Sequence, residues 1–328
     1  MIIMTDLADG VLAQQDWPVE APLVKNRLSR QERRAATLLQ PLLHGAPLRL
    51  AGASGAEADF WTALAVVDHA PISQYDQLLA ASRDPQGLPG PLAAVALEGR
   101  GFHGNRGRPW RARRGNLHLC CAVPVRLKAA VHAVGVPAVP VVAVGDALER
   151  CAPELAWRIK WVNDLVIGGA KLAGVISAAQ SRGRKLTAVV YGIGVNVAVA
   201  PEVAPTLFVP RVTCLHAHEA ARGVTPGALG WEIIAALRRR LEELATAGPE
   251  PVVAAYRQRC GDVGRRVKVW AEGLADTADP TALPAPVASG RVLALDDDLA
   301  LRVEGTAGPL VGGRLAHVDP VDPEELAD

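Results

Sequence analysis

The sequence predicts an α+β protein in which a mixed sheet packed by helices is followed by a small β-barrel. Three observations lead there. From Ala58 to Ala247, aliphatic runs of strand length alternate with longer stretches whose apolar residues recur at helical spacing. After Val263 only short alternating runs remain, separated by turn formers. The chain has 328 residues, 50% of them hydrophobic, which is enough for one large core and one small one. The expected division is an N-terminal extension over residues 1–57, a larger domain over 58–262, a small one over 263–320 and a tail over 321–328.

The extension is rich in Pro and Ala, and Gln31 to Gln40 is its one helical candidate. Turn formers crowd Gly45 to Gly55 and no second helix of recognition type follows, so the segment reads as a strand-bearing addition to the larger domain. Next comes a helix from Ser73 to Ala81, with the Ser73 hydroxyl available as N-cap. Leu92 to Leu97 and Leu117 to Val125 are strands, and Val139 to Cys151 is a helix with Pro140 in its first turn. Leu186 to Val197 is a buried strand. Trp231 to Ala245 is a helix whose Ile233, Ile234, Leu237, Leu241 and Leu244 form one face. In the small domain, Gly264–Trp270, Ser289–Leu295, Leu299–Val303 and Gly308–Leu315 read as strands of an SH3-like barrel. Glu272 to Pro286, rich in Pro, Ala and Thr, reads as a mobile insertion between them.

A net charge of +1 gives no global attraction to nucleic acid. No apolar run reaches the length of a membrane span, and the N-terminus lacks a signal-peptide pattern, so a cytoplasmic protein without a membrane partner is expected. The five cysteines have no metal-ligand spacing; Cys120 and Cys121, adjacent on a strand, should point to opposite faces. His216 and His218, two apart on an expected strand, read as structural, and Arg238-Arg-Arg240 as the exposed face of its helix.

Two segments carry chemistry. Lys160-Trp-Val-Asn-Asp164 leads through Leu165-Val-Ile167 into the Gly168-Gly169 turn and returns as Lys171-Leu-Ala-Gly-Val175, a hairpin that holds Lys171 near Asp164. An ammonium on a rigid strand can stabilise charge developing on an ATP phosphate, and an Asp can hold the accompanying Mg2+; the alternative is a hairpin with a solvated lysine. The second segment is Gly99-Arg-Gly-Phe-His-Gly-Asn-Arg-Gly-Arg-Pro-Trp110, where glycines permit close backbone approach and Arg100, Arg106 and Arg108 offer planar donors to anionic oxygens. A solvated basic turn is its alternative reading.

These motifs, with Tyr191-Gly-Ile-Gly-Val-Asn196, resemble in order and spacing the Lys-Trp-Pro-Asn-Asp, Lys-Leu-Ala-Gly-Ile and Gly-Ile-Gly-Ile-Asn signatures of biotin-protein ligases. The resemblance extends over roughly residues 60 to 320. It implies a class II synthetase-like catalytic domain that uses ATP and Mg2+ to activate biotin as biotinyl-adenylate. The acyl group would then pass to a lysine of a biotin-accepting carrier domain of a carboxylase. It leaves a homodimer open, and the winged helix some members carry has no counterpart in the extension. By the resemblance, Lys171 and Asp164 are catalytic. The substrate and adenylate contacts fall on Ser73, Gln74, Tyr75, Gly99, Arg100, Gly101, Phe102, His103, Arg106, Gly107, Arg108, Trp110, Asn163, Gly174 and Asn196.

The departures from the family pattern cluster on the acid-binding side. The family's Ser-Thr-Asn is Ser73-Gln74-Tyr75 here, its Gln ahead of the Gly/Arg loop has no clear counterpart, and the Glu after Lys-Leu-Ala-Gly-Ile-Leu is Ala178. Aligning the Gly-Arg-Gly-Arg-Arg-Gly-Arg-x-Trp loop without a gap puts Phe102, His103 and Asn105 at Gly and Arg positions, whereas an insertion after Gly101 preserves Gly99-Arg-Gly101. The Arg expected near the C-terminus falls near Val318, with Arg314 and His317 the nearest polar residues. A ligase for another acid such as lipoate, or a noncatalytic binder of an acid, an adenylate or a carrier protein, therefore stands beside the biotin ligase. Tyr75 and Phe102 are expected beside the apolar body of the acid.

Overall fold

The computed structural model describes residues 1–8, 10–19, 27–43 and 49–319; the tail over 321–328 lies outside them. In chain order the elements are β1 (Ile2–Thr5), α1 (Val11–Gln14), α2 (Arg30–Leu39), β2 (Arg49–Gly52), α3 (Ala56–Phe60), β3 (Ala63–Ala70), α4 (Gln74–Ala81), β4 (Leu92–Gly99), β5 (Leu117–Lys128), α5 (Ala129–His132), α6 (Gly135–Cys151), β6 (Trp157–Lys160), β7 (Asp164–Ile167), β8 (Ala170–Arg182), β9 (Lys185–Val195), α7 (Pro226–Ala247), α8 (Glu250–Arg259), β10 (Arg266–Trp270), β11 (Ala288–Leu295), β12 (Leu301–Val303) and β13 (Arg314–His317).

The first nine strands form one sheet in the order β2-β1-β3-β4-β5-β9-β8-β7-β6. It is mixed: β1–β3 and β3–β4 are parallel, and the other neighbours antiparallel. Alternation along β5 decides the layers. Cys121 joins the core made with α6, α7 and α8, whereas Cys120 joins a second core under α2 and α4, so the two cysteines face opposite sides as expected. α2 starts with a capping box, in which Ser29 Oγ accepts from the Glu32 N–H and the Glu32 carboxylate from the Ser29 N–H. In α7, Thr225 Oγ1 caps the Ala228 N–H, with Pro226 in the first turn, where its missing N–H has no helical partner to lose.

Several expectations change. α6 begins at Gly135 and holds Pro140 inside the helix, not in its first turn; the valine-rich stretch is buried almost throughout, so tertiary packing outweighs the proline signal. The extension bears strands as expected, β2 falling within the Gly45–Gly55 stretch, and residues 44–48 lie outside the described residues. His216 and His218 sit in and beside a 3-10 turn, bonding the Val224 carbonyl and the Thr213 hydroxyl, which leaves them structural though not on a strand. Arg238 and Arg240 are not a solvated face: they pair with Glu57 and Asp146, tying α7 to α3 and α6.

The last four strands form an antiparallel sheet in the order β12-β11-β10-β13. Its final strand is Arg314–His317 where Gly308–Leu315 was expected, because Gly312 and Gly313 belong to the turn and only Leu310 bridges, to Leu301. Glu272–Pro286 is not loose. Leu274 and Leu283 pack against Phe208 and Trp270, Trp270 Nε1 donates to the Pro284 carbonyl (2.9 Å), and the Leu207 N–H donates to the Thr277 carbonyl (2.9 Å).

Candidate active site

Cross-strand pairing aligns the site in one row. Lys160 on β6 lies opposite Asp164 on β7, Asp164 opposite Gly174 on β8, Gly174 opposite Gly194 on β9, and Gly194 opposite His118 on β5. A second row runs Ile176, Gly192, Cys120. At the spacing of neighbouring strands the first row spans about 19 Å. These residues face the Cys120 side of the sheet, forming with Tyr75, Trp110 and the 102–111 loop the lining of one cleft.

Strict alternation would send Lys171 to the opposite face with Ala173 and Val175. A bulge prevents this: Leu165 pairs with Ala173 and Val166 with Lys171, so Leu172 is the extra residue and joins the core, while Lys171 is turned into the cleft. There its Nζ lies 2.6 Å from Asp164 Oδ1, with both side chains about one-fifth exposed. The Lys171 backbone is pinned on its open side, its N–H donating to the Arg211 carbonyl (2.9 Å) and its carbonyl accepting from Thr213 (3.0 Å).

The glycines of Gly192-Ile-Gly194 make a floor on which aromatic rings lie. A Cβ at Gly194 would stand 2.4 Å from Trp110 Cζ2, and one at Gly192 would stand 3.0 Å from Tyr75 Cδ2. Trp110 donates its indole N–H to His118 Nδ1 (3.2 Å), while His118 Nε2 donates to the Arg113 carbonyl (3.1 Å). That pattern requires a neutral ring, and burial lowers the His118 pKa to about 4. The Lys171 ammonium stands 5.9 Å from the centre of the Trp110 ring.

Lys160 also lines the cleft, with its Nζ donating to the Phe208 carbonyl; burial lowers its pKa, and nearby Asp164 and Asp262 partly oppose that shift. Asn163 bonds the Val175 carbonyl, and Asn196 donates to the Thr213 carbonyl (3.0 Å), so both fix backbone beside the Lys171 strand. The Trp161–Asn163 turn is held from the small sheet's side. Buried Asp262 accepts from the Trp161 N–H (2.6 Å) and from His317 Nε2 (2.6 Å), and the Trp161 indole donates to the Leu299 carbonyl (2.9 Å).

The Gly/Arg loop is a small hairpin. Trp110 N–H donates to the Phe102 carbonyl (2.9 Å) and Gly104 N–H to the Arg108 carbonyl (2.7 Å), with Arg106 (φ 58°) and Gly107 (φ 73°) in left-handed conformations at its tip. His103 latches it to α4. Its Nε2 lies 3.0 Å from Asp76 and its Nδ1 3.1 Å from the Gly104 carbonyl; burial lowers its pKa, but these two acceptors outweigh that and raise it.

The cleft thus gathers Ser73, Tyr75, Phe102, His103, Arg108, Trp110, Asn163, Asp164, Lys171, Gly174 and Asn196. Other candidates fall elsewhere. Gly99, Arg100, Gly101 and Gly107 line a separate groove on the outer side of the loop, Arg106 lines neither, and Gln74 is fully buried outside the lining. Sequence reasoning missed His118 and Cys120 on the β5 side of the cleft, Arg111 on the loop, and Phe208, Glu272 and Asp276 on the side of the small sheet. Only β5 alternation could have pointed to His118 and Cys120.

The Biotin/lipoate A/B protein ligase family profile matches residues 73–196, the stretch that contains every cross-strand residue of the two rows. The biotin–[acetyl-CoA-carboxylase] ligase of Paracoccus denitrificans is 28% identical over 223 residues, covering 68% of this chain and 88% of that protein. Over residues 73–196 the chain is similar to the biotin/lipoate protein ligase family. A second similar protein, the bifunctional ligase/repressor BirA of Bacillus subtilis, is 24% identical over 70% of this chain and 65% of that protein. The fold is likewise that of the biotin protein ligase from Aquifex aeolicus, solved in complex with biotin and ATP, at a TM-score of 0.56, 18% identity, and coverage of 77% of this chain and 97% of that one. Among the described residues, no helix is long and apolar enough to cross a membrane.

Proposed function

We propose that the chain is an ATP-dependent biotin-protein ligase that forms biotinyl-adenylate and passes the acyl group to a lysine of a carboxylase carrier domain. The observation that carries this reading is Lys171, turned into the cleft by its bulge and held 2.6 Å from Asp164 beside the Trp110 ring. In the first step a carboxylate oxygen attacks the α-phosphorus of ATP, the bond to the β-phosphate bridging oxygen breaks and pyrophosphate leaves. Lys171 stabilises the negative charge that grows on the α-phosphate, with a fixed cation that needs little reorganisation. Arg108 and Arg111 at the cleft rim hold the adenylate and shield it from water. In the second step the neutral amine of the acceptor lysine attacks the anhydride carbonyl, AMP leaves with the bonding electron pair, and the nitrogen gives up one proton to solvent as the amide forms. Asp164 orients that amine.

Lys160, Lys171, Arg108, Arg111 and Arg314 line the cleft and fit a polyphosphate, and Asp164 would be the carboxylate that helps hold a Mg2+ arriving with ATP. When bound, the ion neutralises phosphate charge. The acid lies toward Tyr75, Phe102, His118, Cys120 and Ile176, an apolar and aromatic end. Residues 1–57 act as an addition to the catalytic domain 58–262, whose class II synthetase-like sheet they extend, and 263–320 form an SH3-like domain that braces the Trp161–Asn163 turn. The cytoplasm, where ATP and carboxylases meet, is the compartment this activity requires.

A second reading, activation of another carboxylic acid, is favoured by one observation: Tyr75 occupies the floor at Gly192 where the acid body would lie. Isotope exchange between pyrophosphate and ATP tests both. Biotin-dependent exchange followed by biotinylation of a carrier domain supports the first reading. Exchange with lipoate or another acid but not biotin replaces it with the second, and no exchange with any acid removes the ligase assignment.

A further inference from the structure

We propose that Asp276, on the strap that joins β10 to β11, is an internal competitor for the nucleotide polyphosphate: it occupies an anion subsite at Arg314 that an incoming phosphate takes over. The inference rests on reading the cleft as an ATP site. Arg314 projects from β13 into the cleft, and its side chain is only 4% exposed. Its guanidinium lies 3.7 Å above the Phe208 ring, whose backbone carbonyl also accepts from Lys160 Nζ. Stacking fixes the cation in place whatever its hydrogen-bond partners are.

Those partners all come from the strap. Arg314 Nη1 donates to the Leu274 carbonyl (2.8 Å) and the Ala275 carbonyl (3.4 Å), and Nη2 donates to Asp276 Oδ1. The buried Nε has no acceptor among the described residues. Asp276 is the exposed half of the pair: its side chain is 41% exposed and it lines the cleft together with Glu272. A phosphate carries more charge and more acceptor oxygens than one carboxylate, so it can replace Asp276 at Nη2 and also satisfy Nε. Releasing Asp276 removes one tie of the strap around Leu274–Thr277 and loosens it, while Arg314 Nη1 still holds the Leu274 and Ala275 carbonyls and the Leu207 N–H the Thr277 carbonyl.

The test is calorimetric titration of the full chain with ATP and, separately, with inorganic pyrophosphate, each with and without Mg2+. Asp276→Asn is expected to tighten both ligands about three- to tenfold, the scale of one half-exposed charge-assisted contact. Asp276→Glu, which keeps the competitor, should bind as the wild type does. In wild-type protein, amide hydrogen exchange at residues 274–277 should rise when ATP is added. Equal or weaker binding by Asp276→Asn with an unchanged melting temperature overturns the proposal, and weakening confined to Mg2+ solutions would make Asp276 a metal ligand. If Asp276→Asn loosens the strap and lowers the melting temperature, the wild-type amide exchange decides: no rise with ATP defeats the idea. Pyrophosphate separates this inference from the functional reading, because tightening for pyrophosphate while neither protein binds ATP would remove the ligase assignment and leave the subsite standing.

Discussion

Adding one methyl group at Gly194 should disable the site from beneath. An alanine Cβ there would stand 2.4 Å from Trp110 Cζ2, 2.5 Å from Cε2 and 2.9 Å from Nε1, whereas ordinary contact begins at 3.4 Å. The indole must therefore retreat by about 1 Å, and a rigid ring cannot bend away as a flexible side chain does. Overpacking of this kind costs about 1–3 kcal/mol. The retreat also breaks the Trp110–His118 hydrogen bond, worth about 1 kcal/mol. A stiffer unfolded chain returns only about 0.4–1 kcal/mol, so the expected net loss is about 1–4 kcal/mol. Because Trp110 is the wall beside Lys171, a shift of that size should slow biotin-dependent pyrophosphate exchange about a hundredfold. Gly192→Ala is the control: its Cβ meets Ile176 Cγ1 at 2.8 Å and Tyr75 Cδ2 at 3.0 Å, and the isoleucine can rotate, so the loss should stay near about 1 kcal/mol. Urea midpoints and initial exchange rates of both variants make the comparison. If Gly194→Ala matches wild type in both, the glycine floor does not position Trp110 and the account of the site is wrong.

Lys171→Ala should abolish adenylate formation while the urea midpoint barely moves, since its ion pair with Asp164 is partly solvated; unchanged exchange in that variant would remove Lys171 from the chemistry. His118 predicts an acid limit to stability. Its folded pKa of about 4 lies below the ordinary value of 6.5, so the unfolded chain binds more protons between those values, and stability is full above pH 6.5 and falls as the pH drops toward 4. The loss should approach about 3 kcal/mol, and His118→Gln should flatten this part of a urea-midpoint profile; an equally steep variant would refute the assignment. Asp262→Ala should destabilise by about 2–5 kcal/mol, because it strands the buried Trp161 N–H and its His317 partner together, and it should speed proteolysis of residues 263–319; wild-type stability would show that this contact does not brace the turn.

By itself, the sequence determined the elements with strong local signals. The Asp164–Ile167 and Ala170–Arg182 hairpin follows from an aliphatic run and paired glycines, and the opposite faces of Cys120 and Cys121 follow from period-two alternation, both local rules. Motif order likewise placed Lys171, Asp164, Asn163 and Trp110 in one cleft. Tertiary structure alone decided how they work. No local signal marks the Leu172 bulge, since it is set by register with β7, yet without it Lys171 would face the core side. The Gly/Arg loop shows the same limit: its composition cannot reveal that Arg108 and Trp110 face the cleft while Arg100 lines the outer groove, which the 102–110 hairpin and the His103–Asp76 latch decide. The strap looked loose because Pro, Ala and Thr carry no periodic signal. What holds it is Arg314 stacked on Phe208, residues 106 positions apart by number and joined only when the small sheet packs over the cleft.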